Sequence, residues 1–67
     1  MKISARNQLS GKVISVKEGA VNATVKVDVG GQTITSSITN EAVSDLGLTT
    51  GDAVTIIVKA TDVLIGK

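Results

Sequence analysis

Between Val21 and Val29 apolar and polar residues alternate without a break: Val21, Ala23, Val25, Val27 and Val29 against Asn22, Thr24, Lys26 and Asp28. A period of two cannot be read as a helix; it puts the two sets on opposite faces of a strand, one packed and one in water. Gly30-Gly31 follows. That pair takes positive φ without steric cost, so it fits a tight hairpin turn into Gln32–Ile38. The middle of the chain is therefore committed to an antiparallel sheet, and the flanking segments must supply its remaining strands.

They have the material to do so. Leu9 to Val16 is β-branched and carries Gly11 in its body, which usually marks a bulge or a tight barrel bend, and Lys17-Glu18-Gly19-Ala20 supplies the turn before the alternating strand. Thr39 or Asn40 can cap a short helix in which Glu41 and Asp45 lie near the early turns, Val43 and Leu46 face inward at i and i+3, and Gly47 is the stop. After a turn at Thr49–Asp52, Ala53–Val58 is apolar on both faces, the pattern of a strand covered on two sides, which points to a partner subunit. Val63-Leu64-Ile65 reads as a last short strand. Five or six short strands with one helix before the penultimate strand predict an all-β fold, a small five-stranded Greek-key barrel of the oligonucleotide/oligosaccharide-binding (OB) kind; a plain antiparallel meander is the rival. No internal repeat, low-complexity tract or linker breaks residues 1–67, which read as one domain.

A chain of 67 residues has a marginal core, because it buries only about 60% of the surface its unfolded form exposes. The usual reinforcements are missing. There is no Cys for disulfides or thiolate metal sites, no His for zinc or copper, and no Phe, Tyr or Trp to supply large packing units. Association with further copies is what remains, and an apolar content of 42% made of aliphatic residues and Ala suits it. Seven basic residues against six acidic give no field that would steer the chain to nucleic acid or a membrane surface. Met1-Lys2-Ile3-Ser4 runs into polar Arg6-Asn7-Gln8 with no apolar stretch of signal-peptide type, and no run is long enough to span a bilayer. A soluble, cytoplasmic protein is expected.

Without His or Cys, the common nucleophilic dyads are impossible. The six carboxylates follow no calcium-binding or acid/base spacing, and Gly30-Gly31 extends into no phosphate-binding glycine pattern. An enzyme is not expected, nor a metal held directly by side chains. Two segments at opposite ends of the chain remain. Ser4-Ala5-Arg6-Asn7 and Lys59-Ala60-Thr61 each set one fixed cation beside small or hydroxyl residues, and in a closed barrel the first and last strands are commonly neighbours. They could form a small-anion site, although spacing alone favours reading Arg6 and Lys59 as ordinary surface charges.

Ser4-Ala5-Arg6-Asn7-Gln8-Leu9, then Gly11-Lys12-Val13, Ile38-Thr39, Leu46-Gly47-Leu48 with Gly51-Asp52, and Val58-Lys59-Ala60-Thr61-Asp62-Val63, in that order over nearly the whole chain, resemble the molybdate-binding Mop family, the molbindins. The resemblance implies a five-stranded OB-like barrel assembled as a hexamer, a trimer of dimers. It also implies molybdate or tungstate as the bound ligand at subunit interfaces, with no organic cofactor. Carried over by position, Ser4, Arg6, Thr39, Lys59, Ala60 and Thr61 match the family's oxyanion site, with Ala5 and Asn7 in support. A second kind of site, on a threefold axis and built from backbone donors, would fall in the Glu18–Asn22 turn at Gly19, Ala20 and Val21. Thr61 stands where Ser is common and keeps the hydroxyl; Ala42 stands where Ser is often found and removes a peripheral donor.

Molybdate at neutral pH is a fully deprotonated dianion and needs donors alone, which is what this residue set offers; phosphate still carries a proton and would want an acceptor. Three functions follow for test. The first is storage or homeostasis of molybdate or tungstate. The second is a self-assembling β-barrel interaction module in which Arg6 and Lys59 serve interface ion pairs. The third is a single-stranded nucleic-acid binder, for which the stacking aromatics are missing.

Overall fold

A computed structural model describes residues 1–67. Four strands and one helix follow in the order β1 (Asn7–Glu18), β2 (Asn22–Val29), β3 (Gln32–Thr39), α1 (Asn40–Leu46) and β4 (Ala53–Val58), after which a single 3₁₀ turn covers Ala60–Asp62. All pairings are antiparallel and the sheet order is β3-β2-β1-β4. Three hairpin-linked strands and a fourth that returns beside the first make a Greek key, which excludes the plain meander.

The alternation in β2 does what its period requires. Ala23, Val25 and Val27 are buried while Asn22, Thr24, Lys26 and Asp28 are exposed. Gly30 and Gly31 both have positive φ, 59° and 89°, and join β2 to β3 with Val29 opposite Gln32. Val21 is the exception in the series: it lies before the strand and is 69% exposed.

The core consists of Val13 from β1, Ala23, Val25 and Val27 from β2, and Val43 from α1. Half-buried Val16, Val29, Ile38, Leu48, Val54 and Ile56 pack around it. The edge strands β3 and β4 do not hydrogen-bond to each other, yet Ile34, Ile38, Val54 and Ile56 line one apolar cavity with Val13 and Val27. The sheet is therefore rolled into an OB-like barrel that stays open between β3 and β4.

Gly11 permits the roll. A Cβ at this position would lie 2.5 Å from Val27 Cγ1 and 2.8 Å from the Asp28 carbonyl oxygen, so β1 passes too close to β2 for any side chain. Of the bulge or bend expected at Gly11, the glycine serves the close approach, and the bulge sits further along, where the register with β2 slips between Val13 and Ser15. There Val13 also bonds the turn that leads into β4, its N–H donating to the Asp52 carbonyl and its carbonyl accepting from the Gly51 N–H. Helix α1 is capped by Thr39, whose Oγ1 accepts from the Ala42 N–H at 3.0 Å, and it ends at Gly47. Val43 faces the core; Leu46, expected to do the same, lines the rim of the open apolar cavity and is 69% exposed, because nothing of its own chain covers it there.

In β4, Val54, Ile56 and Val58 are half-buried and Ala53, Thr55 and Ile57 are exposed, because β4 is an edge strand with nothing of its own chain over its outer face, the face for which a partner subunit was expected. One further expectation changes. The fifth strand expected at Val63–Ile65 does not form. The 3₁₀ turn leads the chain off the sheet, the Val63 N–H bonds back to the Ala60 carbonyl, and Leu64 and Ile65 are 91% and 89% exposed. Three residues give too few ladder bonds to offset their ordering unless the side chains are also buried, and within one chain nothing meets them.

Candidate functional site

The pairing of β1 with β4 decides what comes together. Asn7 lies opposite Val58 and Gln8 opposite Ile57, so the segment entering β1 and the segment leaving β4 emerge at the same end of the sheet. Ser4, Ala5, Arg6, Lys59, Ala60 and Thr61 line one open cavity there, with Ile3 and Ile57 as its apolar floor. Residues separated by more than fifty positions in sequence thus share a surface. The site lies on the outer face of the barrel, because Ile57 points away from the core side occupied by Ile56 and Val58.

Its chemistry is all donor. No Asp or Glu lines the cavity, and nowhere in the molecule do carboxylates cluster as they would to hold a metal cation. The two cations, Arg6 and Lys59, come from different strands' ends. The 3₁₀ turn uses its Asp62 and Val63 N–H groups internally, toward the Lys59 and Ala60 carbonyls, and leaves those of Ala60 and Thr61 without an acceptor in the chain. Ser4, Ala5 and Arg6 likewise keep free N–H groups. Hydroxyls of Ser4 and Thr61 complete a set suited to an anion that offers only acceptors. Asn7 is half-buried at the start of β1, pairs with Val58, and borders the cavity without lining it.

Thr39 is not part of this cavity. It pairs with Asn22 at the far end of β3, next to the Glu18 end of β1, so it lies at the opposite end of that strand from Asn7. The structure instead brings Thr39 beside the Glu18–Asn22 turn. Within that turn the Gly19 N–H donates to the Asn22 carbonyl, the Gly19 carbonyl accepts from Asn40 Nδ2 at 2.9 Å, and the Val21 carbonyl accepts from the Asn40 N–H at 2.8 Å. The N–H groups of Ala20 and Val21 point to no acceptor of the chain. Asn40, absent from the sequence-derived site, is the residue that fixes this turn; the sequence presented it only as a possible helix cap. Its Oδ1 is buried and accepts no hydrogen bond.

Fold and site together describe a small OB-like barrel with a carboxylate-free, donor-lined cavity where the segment entering its first strand meets the segment leaving its last. The TOBE domain model matches residues 3–65. The "Probable molybdenum-pterin-binding protein" of Haemophilus influenzae is 51% identical over 67 residues, 98% of this chain and 97% of that one. Among solved structures, a molybdate-binding protein from Sporomusa ovata superposes with a TM-score of 0.96 at 42% identity, covering all of both chains. MopII from Clostridium pasteurianum gives 0.92 at 48% identity, covering 98% of this chain and all of that one. The chain belongs to the TOBE-domain family, in the Mop group that these relatives represent. The relatives are named for binding rather than for catalysis.

Proposed function

We propose that this chain, acting as one module over residues 1–67, is a cytoplasmic molybdate- and tungstate-binding protein that serves storage or homeostasis of the oxyanion. The observation that carries the reading is the single cavity in which Ser4, Ala5 and Arg6 meet Lys59, Ala60 and Thr61 with no carboxylate among them. A tetrahedral dianion there would take charge-assisted hydrogen bonds from Arg6 and Lys59, each worth roughly 1.5–3 kcal/mol, and further bonds from hydroxyls and backbone N–H groups. The names of the relatives, which specify molybdate or molybdenum, support that ligand over other dianions. No organic cofactor and no catalytic step enter this reading.

The protein works as a homo-oligomer, a hexamer built as a trimer of dimers, and the site is completed between copies. Three features support this. The cavity is open on the outer face, Thr39 lies at the other end of β1 from its own chain's site, and only five residues are buried. A neighbouring copy would bring its Thr39 to Arg6 and Lys59. The apolar tail Val63–Ile65 would lie as the missing strand in another copy's opening between β3 and β4, where the cavity is lined by Ile34, Ile38, Val54 and Ile56. The backbone donors of Gly19, Ala20 and Val21 are the candidates for the second kind of site, where copies meet around a threefold axis.

Native mass spectrometry with molybdate, and with sulfate as control, tests the reading. A hexamer is expected to gain discrete molybdate masses and no sulfate. Arg6→Ala or Lys59→Ala should weaken molybdate binding about 10- to 100-fold. Wild-type affinity in both variants would remove this cavity as the site.

A further inference from the structure

Gln8 is the one side chain that grips the backbone of the site from outside it. Its Nε2 donates to the Ala5 carbonyl at 3.0 Å. Gln8 is exposed, lies on the outer face opposite Ile57, and does not itself line the cavity. Its side chain contributes nothing to the core, and its only hydrogen bond is spent on a residue that does line the cavity.

A peptide unit is planar and trans, so its C=O and N–H point in opposite directions and turn together. Fixing the Ala5 carbonyl therefore fixes the N–H of Arg6, which belongs to the same peptide unit. That N–H donates to no group of the chain. Residues Met1–Arg6 have no ladder partners, because β1 begins at Asn7, so the Gln8 bond is the one hydrogen bond that holds this peptide plane. We infer that Gln8 is a positioning residue of the oxyanion site: by holding the Ala5 carbonyl it presents the Arg6 backbone N–H, and with it the start of the Arg6 side chain, to the bound anion.

The inference rests on the oxyanion reading of the cavity, and the experiment separates the two. Sodium molybdate is titrated into ¹⁵N-labelled wild-type protein and into Gln8→Met, which keeps the length and loses the donor. Amide resonances are followed residue by residue, with affinity measured by calorimetry. The wild type is expected to show a large downfield shift of the Arg6 amide together with shifts at Lys59, Ala60 and Thr61. Gln8→Met should keep its thermal midpoint, bind roughly three- to tenfold more weakly, and at saturation lose the Arg6 shift while retaining those at Lys59–Thr61. A loss of structure would move all of these signals together. An Arg6 shift and an affinity unchanged in Gln8→Met would overturn the role of Gln8 alone. A wild-type protein whose residues 4–6 and 59–61 do not respond to molybdate would overturn the site assignment and this inference with it.

Discussion

Replacing Leu64 and Ile65 together by Ser tests whether the tail belongs to another copy. In the isolated chain these side chains are 91% and 89% exposed, so their removal costs the monomer's own fold almost nothing. If the tail fills the opening between β3 and β4, one of the pair faces the apolar cavity and the other the outer surface, since neighbours in a strand alternate. Complete burial of such a side chain is worth about 1.5–3 kcal/mol, and the partly covered one adds less, giving about 3 kcal/mol per tail. A pair of copies that exchange tails loses this twice, about 6 kcal/mol, or roughly four decades in the dissociation constant. Sedimentation velocity across a dilution series should show the wild type as one large species and the variant as monomer at micromolar concentration. The variant should also lose stabilisation by molybdate, because a site shared between chains forms only in the assembly. A variant that sediments as the wild type does would refute the reasoning: the tail would then be an exposed end, and the barrel's opening would be covered by something else.

Two further substitutions separate structure from binding. Thr39→Val removes the Oγ1 that accepts from the Ala42 N–H and should cost about 1 kcal/mol of stability, a fall of roughly 4–8 °C in thermal midpoint. It should also weaken molybdate binding through the neighbouring copy, whereas Thr39→Ser should preserve both, as differential scanning fluorimetry with and without the anion would show. Gly11→Ala places a methyl 2.5 Å from Val27 Cγ1 and 2.8 Å from a backbone oxygen, so β1 must move away from β2; a loss of about 1–3 kcal/mol is expected in urea unfolding, and an unchanged midpoint would show that the strands separate at no cost.

The elements that were legible in the sequence are those whose cause is local. The alternation of β2, the Gly30-Gly31 turn, the Thr39 cap and the Gly47 stop each follow from the preferences of a few adjacent residues, and each appears where those residues stand. The two halves of the cavity were legible as compositions, a cation among small and hydroxyl residues, and both barrel closure and the resemblance to the Mop family gave reason to expect them together. Gln8 and Asn40 were not legible, since an amide side chain gives no periodic signal and its role depends on which carbonyl happens to lie within reach.

What lay beyond the sequence was long-range in origin. Whether Arg6 meets Lys59 depends on β4 returning beside β1 in a Greek key, and a meander with the same strands would have kept them apart. The register of β1 against its two neighbours then separates Thr39 from that cavity by the length of a strand, a fact that no local pattern contains. Likewise Val63–Ile65 carries every local mark of a strand and forms none, because a strand needs a partner edge and a buried face as well as a propensity. The sequence by itself determined the local backbone and the donor chemistry; the tertiary structure decided which donors meet, and left open edges and an apolar tail that a single chain cannot satisfy.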